Sequence, residues 1–149
     1  MQPLIVTAAL LRKDHQILIT KRPADKQQGG FWEFPGGKLQ SNETPQQALQ
    51  RELLEELDLA AEIGSIFEVV YHRYDWGPVL ILAYECRPLG NSIRNLEVSE
   101  HRWITVEQLS DFELLPADGP IVDKLLDQAG ADARPAQPAA PKLNPQPAR

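Results

Sequence analysis

Three glutamates in one short segment have the spacing that a metal site requires. Glu52, Glu55 and Glu56 stand at positions i, i+3 and i+4, which lie on one face of an α-helix. Like charges at these spacings destabilise a helix by roughly 0.2–0.5 kcal/mol per pair, so a bare face of this kind favours a bound cation. Carboxylate oxygens are hard ligands and suit Mg²⁺ or Mn²⁺. The spacing alone leaves a solvated acidic helix face as the alternative.

The segment around these glutamates carries the signals of a helix. Thr44, followed by Gln47 three positions later, predicts a capping box, and Pro45 suits the first turn. Core contacts are predicted for the leucines at every fourth position, namely Leu49, Leu53 and Leu57. Because this stripe lies about 100° around the helix from Glu52, one helix can pack on a core and present the carboxylates.

The helix lies inside a longer pattern that begins at a double glycine. Residues 37–59 read GKLQSNETPQQALQRELLEELDL. This segment resembles the Nudix box, G-x(5)-E-x(7)-R-E-U-x-E-E-x-G-U with U aliphatic, and it fits at Gly37, Glu43, Arg51 and the three glutamates. The one departure is Asp58, which stands where the family has glycine. The chain is therefore identified by resemblance as a member of the Nudix hydrolase family, and residues 3–129 look most similar to its MutT-type branch.

The resemblance implies a role for each residue of the box. Nudix hydrolases cleave nucleoside diphosphates linked to another group, and they use divalent cations. Mg²⁺, for which Mn²⁺ can substitute, is expected on Glu52 and Glu56, with help from Glu55 and the carbonyl of Gly36. Three residues are expected to be structural. Arg51 should orient the glutamates through ion pairs, Glu43 should anchor the loop, and Gly37 belongs to the glycine turn.

A further carboxylate is expected from the segment before Trp103. Glu97 precedes Trp103 by six residues, the spacing at which similar proteins carry a glutamate that serves as an added metal ligand or general base. Glu100 in the same segment is a rival. A solvated loop acid is the plain alternative for both residues.

Four residues are expected to bind the substrate. Arg22 ends the second predicted strand, where MutT-type proteins place an arginine, and Phe34 matches an aromatic residue beside the base pocket. Lys38 can meet a phosphate oxygen as a point charge, and Asp118 lies in a segment that resembles the base-reading one. The alternatives are a core phenylalanine, an exposed lysine and a helix-capping aspartate. The turn 75–78 lacks an arginine that some MutT proteins present to the substrate, which leaves the base preference open.

Composition indicates one soluble, cytoplasmic domain. The chain has 149 residues, of which 42% are hydrophobic and 24% charged, and this is enough for one core. No apolar segment reaches the ~20 residues that span a bilayer, and no signal peptide is visible. The single cysteine, Cys86, fits a reducing compartment and a buried strand position. The histidines show no ligand spacing; they are His15, His72 and His101.

The net charge of −6 excludes a nucleic-acid duplex as the expected partner, since such binding needs a basic surface. A polyphosphate substrate is then compatible only with bridging cations. No membrane partner is expected, and the chain should be a monomer or a weak dimer.

The pattern of elements predicts an α/β (α+β) fold in a single domain, residues 1–129, followed by a Pro/Ala-rich disordered tail, residues 130–149. Besides the box helix, a helix is predicted over 120–128 and strands over 4–12, 16–22, 32–34, 61–74, 79–86 and 102–105. The resemblance implies the Nudix α/β/α sandwich with a mixed β-sheet.

The implied activity is a Mg²⁺-dependent nucleoside triphosphate pyrophosphohydrolase that releases a nucleoside monophosphate and pyrophosphate. The favoured substrate is 8-oxo-dGTP, which implies nucleotide-pool sanitisation and mutation avoidance. One alternative is hydrolysis of CTP or a modified dCTP. Another is a non-catalytic module that recognises an oxidised base. Modules of that kind have lost box carboxylates, whereas this chain retains all of them.

Overall fold

The structure, a computed structural model, describes residues 2–133. In that part of the chain, seven strands form a mixed sheet that carries one α-helix on each face. The strands are β1 Leu4–Lys13, β2 Gln16–Lys21, β3 Trp32–Glu33, β4 Gly36–Lys38, β5 Ala61–Tyr74, β6 Gly77–Pro88 and β7 Glu100–Thr105. The helices are α1 Pro45–Leu57 and α2 Gly119–Ala133, with 3₁₀ turns at Val106–Asp111 and Pro116–Asp118.

The central strand β1 organises the sheet. It pairs in parallel with β6 and antiparallel with β2 and β4, and the strand order is β3-β2-β1-β6-β5. β4 pairs with β1, and β7 pairs with β2. Residues 8–11 of β1 are all buried, because helices cover both faces of the sheet at this point. A strand covered on both faces reads as a continuous apolar run, which is why β1 was predictable from its sequence.

Each helix packs on its own hydrophobic core. The core under α1 contains Leu49, Leu53 and Leu57 with strand residues, and the core under α2 contains Ile121 and Leu125. The predicted leucine stripe and the α/β/α sandwich are therefore confirmed.

The ends of α1 follow the sequence signals. The backbone N–H of Gln47 donates to Thr44 Oγ1 over 3.1 Å, and the Thr44 N–H donates to Gln47 Oε1 over 2.9 Å, which confirms the capping box. Asp58 ends the helix in the left-handed region, at φ 52° and ψ 39°. Glycine enters this region without strain, which explains the glycine that the family has there. The Asp58 carboxylate forms an exposed ion pair with Arg94 at 3.5 Å.

Most strand boundaries differ from the predicted ones by one or two residues, and three departures change the description of the fold. β4 was expected as loop, since its Gly-Gly-Lys sequence has low β-propensity, yet Thr7 Oγ1 holds it by donating to the Gly37 carbonyl over 3.0 Å. β6 begins at Gly77, inside the predicted turn 75–78. α2 continues to Ala133, so residues 130–133 are helical and the expectation of a disordered tail from residue 130 is wrong for them. The rest of that tail lies outside the described residues.

Cys86 is buried in β6, as predicted. Burial raises the pKa of its thiol to about 12, so the group is a packing element and not a nucleophile. Within residues 2–133, no helix has both the length and the apolar character needed to cross a bilayer.

Candidate active site

The double glycine allows β4 to approach two neighbours closely. A side chain at Gly36 would overlap the carbonyl of Thr7 in β1, and a side chain at Gly37 would overlap the carboxylate of Glu52 in α1. Gly36 is therefore required, because its neighbour is fixed backbone and its φ is 154°, whereas a side chain at Gly37 would displace the Glu52 carboxylate. The consequence of the two glycines for the site is that the Glu52 carboxylate lies directly against the backbone of β4.

Arg51 connects the box residues to one another. Its Nη1 donates to Glu52 Oε1 over 2.9 Å and to Glu55 Oε1 over 3.0 Å. Its Nη2 donates to Glu43 Oε1 over 2.8 Å and to the Lys38 carbonyl over 3.0 Å. One guanidinium thus joins α1, β4 and the segment between them, and the orienting role that the resemblance implies for Arg51 stays a prediction.

Glu43 fixes the loop between β4 and α1. Its Oε1 accepts a hydrogen bond from the Gln40 N–H over 2.8 Å, in addition to the bond from Arg51. The Arg51 hydrogen bond lowers the pKa of the Glu43 carboxyl below its ordinary value, so Glu43 stays ionised. This arrangement fits the predicted anchoring role.

A cavity of about 570 Å³, here called the acidic cleft, opens beside these residues. Glutamates contribute most of its charged lining; they are Glu33, Glu52, Glu56 and Glu97, with Arg22, Lys26 and Lys38 as the basic groups. Glu56 Oε1 accepts a hydrogen bond from the Gly36 N–H over 3.1 Å. Burial raises the pKa of the Glu56 carboxyl to about 8, and the neighbouring carboxylates add to the rise. Negative charge at this point is under-compensated, so the donor set fits a divalent cation.

Glu97 reaches the acidic cleft because its loop binds the end of α1. The N–H groups of Leu96 and Glu97 donate to the Glu56 carbonyl over 2.9 and 3.2 Å, which satisfies a helix-end acceptor. Glu100 instead belongs to β7, where it pairs with Arg102 at 2.6 Å. The geometry therefore favours Glu97 over its rival as a cleft residue.

A second cavity of about 380 Å³, here called the inner cavity, adjoins the acidic cleft. The two share Arg22, Glu33, Gly37 and Lys38. Asp118, only 5% exposed, faces the inner cavity and accepts a hydrogen bond from the Phe34 backbone. Burial raises the pKa of the Asp118 carboxyl to about 8, and Glu33 adds to the rise. At neutral pH the group is protonated, so it can donate one hydrogen bond and accept others.

Comparison with known proteins identifies the family of this chain. Residues 1–125 match the NUDIX domain. The chain belongs to the Nudix family. It is accordingly a hydrolase that acts on phosphoric anhydrides, and the segment 37–59 is its Nudix box.

Three relatives illustrate the family match. The CTP pyrophosphohydrolase of Escherichia coli strain K12 is 34% identical, over 91% of this chain and 99% of that protein. The 8-oxo-dGTP diphosphatase of the same organism is 30% identical, over 84% of this chain and 98% of that protein. The solution structure of the E. coli ORF135 protein superposes with a TM-score of 0.73 at 32% identity, covering 92% of this chain and 96% of that one.

Within the Nudix box, Glu55 is placed differently from the other glutamates. It is 44% exposed, it is held by Arg51, and it does not line the acidic cleft. As the side chains stand, no three His, Cys, Asp or Glu groups between residues 2 and 133 are close enough to hold one ion. Arg51 engages Glu52 as well as Glu55, so recruitment of either carboxylate by a cation requires these ion pairs to loosen.

The predicted substrate residues of this Nudix hydrolase lie at both cavities. Lys38 is exposed and lines both cavities. Phe34 is buried and lines only the inner cavity of the two, so Phe34 belongs to the core and also forms part of the cavity wall. Arg22 also lines both, but its Nε donates to the Gln27 carbonyl over 2.9 Å and its Nη1 to Glu33 over 3.1 Å. These bonds make Arg22 a residue that holds the loop 23–30 and Glu33 in place.

Three residues of the inner site escaped the sequence analysis. Tyr74 and Trp76 stack with their ring centroids 5.5 Å apart at the wall of the inner cavity, and the Tyr74 hydroxyl accepts a hydrogen bond from Ala117 N–H over 3.3 Å. Tyr74 ends β5 and Trp76 lies in the turn before β6, and no local sequence pattern marks either of them as a cavity residue. Glu33 ends β3 and lies between two buried aromatic residues, Trp32 and Phe34, so alternation along the chain turns its side chain to the opposite side.

Proposed function

We propose that this chain is a Mg²⁺-dependent nucleoside triphosphate pyrophosphohydrolase whose preferred substrate is 8-oxo-dGTP. The observation that carries the proposal is the direct junction of the acidic cleft and the inner cavity, which share four residues. A triphosphate can occupy the first while its base occupies the second. The products would be 8-oxo-dGMP and pyrophosphate.

At the phosphate end, Glu52, Glu56 and Glu97 would hold Mg²⁺ or Mn²⁺ together with the carbonyl of Gly36. A bound ion of this kind neutralises phosphate oxygens and lowers the pKa of a coordinated water. Arg51 holds Glu52 beside the cleft through an ion pair that a bound cation would loosen, and Lys38 in the cleft lining supplies a positive point charge. We assign Glu97, which its loop holds at the cleft through hydrogen bonds to the Glu56 carbonyl, as the group that accepts the proton of the attacking water.

At the base end, Asp118 would read the base. A protonated carboxyl offers one donor and one acceptor in an apolar pocket, and 8-oxoguanine presents ring N–H groups beside carbonyl oxygens. The aromatic pair Tyr74 and Trp76 offers stacking area for a planar base. Discrimination follows because a wrong base leaves the buried carboxyl without partners.

Hydrolysis of CTP or a modified dCTP is the second candidate. The cytosine edge, with an amino donor beside a ring acceptor, also complements a protonated carboxyl. The relative named CTP pyrophosphohydrolase matches nearly the whole chain, which favours this substrate as the first alternative. A module that only recognises an oxidised base is disfavoured, because every Nudix-box carboxylate is present.

The biological role that fits this activity is sanitisation of the free nucleotide pool in the cytoplasm, acting before nucleotides enter DNA. A duplex partner is disfavoured by the net charge of −6. We propose that the chain is a monomer or a weak dimer.

A nucleotide screen tests the proposal. Pyrophosphate release from normal and 8-oxo nucleoside triphosphates, including 8-oxo-dGTP, dGTP, dCTP and CTP, would be measured with Mg²⁺, with Mn²⁺ and with EDTA. We expect metal-dependent release that is fastest for 8-oxo-dGTP. Fastest release from CTP would transfer the assignment to the second candidate, and release that persists in EDTA would reject the metal-dependent mechanism.

A further inference from the structure

Strand β5 lies at an open edge of the sheet. In the part of the chain that the structure describes, it ends the strand order and pairs with β6 alone. It is 14 residues long and contains neither proline nor lysine, which are two of the residues that protect natural edge strands. An edge of this kind presents backbone N–H and C=O groups that another strand can bind.

One hydrogen bond shows which backbone groups of β5 face outward. The Val69 N–H donates to Glu68 Oε1, a side chain of the same strand, over 3.0 Å, so this N–H is not bonded to β6. Backbone direction alternates along an antiparallel ladder, and residues 68–74 pair with β6 without a register shift. The N–H and C=O groups of Tyr71 and Arg73 therefore point to the open edge as well.

The same part of β5 exposes apolar side chains on one face of the sheet. Val69 is 49% exposed and Tyr71 56% exposed, whereas Val70 between them is buried, as strand alternation requires. Ile66, which is 48% exposed, joins this face because the register shifts between Ile66 and Glu68. An exposed apolar row thus runs beside the outward-facing backbone groups.

This edge is complementary to a second copy of itself. In an antiparallel pairing with Val70 facing Val70, Val69 lies opposite Tyr71 of the second copy, and the two residues exchange both backbone hydrogen bonds. A β-branched residue opposite an aromatic one is a favourable cross-strand pair.

The polar residues of β5 select the same register. On the other face of the sheet, Glu68 lies opposite His72 of the second copy, so a carboxylate acceptor meets an imidazole N–H donor. A shift of two residues in one direction would set Val69 opposite Arg73. A shift in the other direction would set Glu68 opposite Val70. Neither shifted register keeps the pair of Glu68 and His72.

We propose that two copies of this chain associate through antiparallel pairing of β5, centred on Val70, and form one continuous sheet. This selects the dimer from the two states proposed above. Association closes at two copies, because each copy contributes its one β5 edge to a twofold contact. The Glu68 carboxylate releases the Val69 N–H when the second copy binds. Residues 68–72 line neither the acidic cleft nor the inner cavity, so the inference is independent of the proposed function.

Sedimentation equilibrium over a series of protein concentrations measures this association. The wild-type protein should pass from monomer to dimer as its concentration rises. Tyr71→Lys should raise the dissociation constant by roughly 10-fold or more, because the substitution enters the twofold contact twice and replaces an aromatic contact with a charge.

Leu89→Lys is the matched control. Leu89 is 57% exposed, nearly the same fraction as Tyr71, but its N–H donates to the Ala60 carbonyl just before β5 begins. It therefore lies at the opposite end of β5 from the proposed contact. This variant should dimerise as the wild-type protein does.

Cysteine cross-linking tests the register. The Cα atoms of a hydrogen-bonded pair lie about 5.5 Å apart, within the range of a disulfide. A mixture of the Val69→Cys and Tyr71→Cys proteins should therefore cross-link on mild oxidation. Each variant alone should not, because identical residues are then offset along the two strands. The native Cys86 is buried and does not compete.

The outcomes that overturn the inference are distinct. A wild-type protein that stays monomeric at every concentration, or that forms assemblies larger than two copies, overturns it. So does a Tyr71→Lys protein that dimerises as the wild-type protein does, or a cysteine mixture that fails to cross-link. Circular dichroism checks that Tyr71→Lys is folded. If it is not, the cysteine mixture decides by itself.

Discussion

The acidic cleft and the inner cavity share Glu33 but differ in how many carboxyl groups they bring together. The cleft gathers four glutamates, one of which is paired with Arg51. Beyond the shared Glu33, the inner cavity has one carboxyl, the deeply buried Asp118, among apolar and aromatic walls. Burial raises the pKa of a carboxyl to about 8 in each region, Glu56 in the cleft and Asp118 in the cavity, but only the cleft has the several neighbouring carboxylates that attract a cation.

This difference separates the two functions that a nucleotide hydrolase needs, which are binding of the phosphate chain and recognition of the base. The triphosphate is common to all nucleotide substrates, so changes in the cleft should lower hydrolysis of all of them by a similar factor. The base differs between substrates, so changes in the inner cavity should alter the ratio of rates between substrates. Four variants test whether the two regions are separable in this way.

The largest effect is expected from Glu56→Gln in the cleft. The variant keeps the shape of the side chain and removes a negative oxygen ligand, so turnover should drop by at least ~100-fold on every nucleotide. Steady-state rates with saturating Mg²⁺ provide the measurement, and Glu107→Gln, an exposed site in a 3₁₀ turn, is the control. Turnover near the wild-type value would remove Glu56 from the metal site.

A smaller and selective effect is expected from Asp118→Ala in the inner cavity. Loss of a base-reading hydrogen bond should cost roughly 1–3 kcal/mol in kcat/KM for the preferred nucleotide, and much less for poor substrates. The comparison uses 8-oxo-dGTP, dGTP and dCTP with both proteins. Equal losses on all three would show that Asp118 is structural. Recognition of the base would then be assigned to Phe34, Arg22 or backbone groups.

The pH dependence of stability gives a second test of the inner cavity. The pKa of Asp118 is about 8 in the folded protein and about 3.9 when unfolded, so folding favours the protonated form. Its contribution to stability is fully present below about pH 4 and is lost as the pH rises through about 8. Between pH 6 and pH 9, the free energy of unfolding should therefore fall more steeply in the wild-type protein than in Asp118→Asn. The free energy of unfolding would be measured by urea denaturation at each pH. The same pH dependence of this free energy in the two proteins would contradict a buried, protonated Asp118.

The smallest effect is expected at Asp58, which lies outside both cavities. Asp58→Gly should raise the free energy of unfolding by up to ~1 kcal/mol, because glycine fits the left-handed conformation and the lost ion pair with Arg94 is exposed. Activity should stay near the wild-type value. Asp14→Gly, at another left-handed position with φ 50° in the β1–β2 turn, is the control for the backbone effect. A large loss of activity in Asp58→Gly alone would place Asp58 in the site.

The cleft was more predictable from sequence than the inner cavity for a physical reason. Glu52 and Glu56 lie on one helix, where spacing alone fixes which side chains share a face. Arg51 and Glu43 belong to the same continuous motif. Glu55 shows the limit of this reasoning, because its ion pair with Arg51 turns it away from the cleft.

The inner cavity is assembled from segments that are far apart in the chain. Phe34, Tyr74 and Asp118 come from β3–β4, the β5–β6 hairpin and a 3₁₀ turn, and only the sheet order brings them together. Family resemblance supplied Phe34 and Asp118, whereas Tyr74 had no local signal. Glu33 was missed for a related reason, since its importance depends on two cavities that the sequence does not show.

The attachment of the 94–97 loop to the end of α1 has a consequence for heat inactivation. The Glu56 carbonyl accepts from two amides of this loop, and the Leu57 carbonyl accepts from the Arg94 N–H over 2.9 Å. Fraying of the last helical turn would therefore release Glu56 and Glu97 in the same local opening. We expect both carboxylates to be lost as a unit on warming, before the sheet melts. Amide hydrogen exchange should then show Leu96 and Glu97 opening together with Asp58, at a free energy below that of global unfolding.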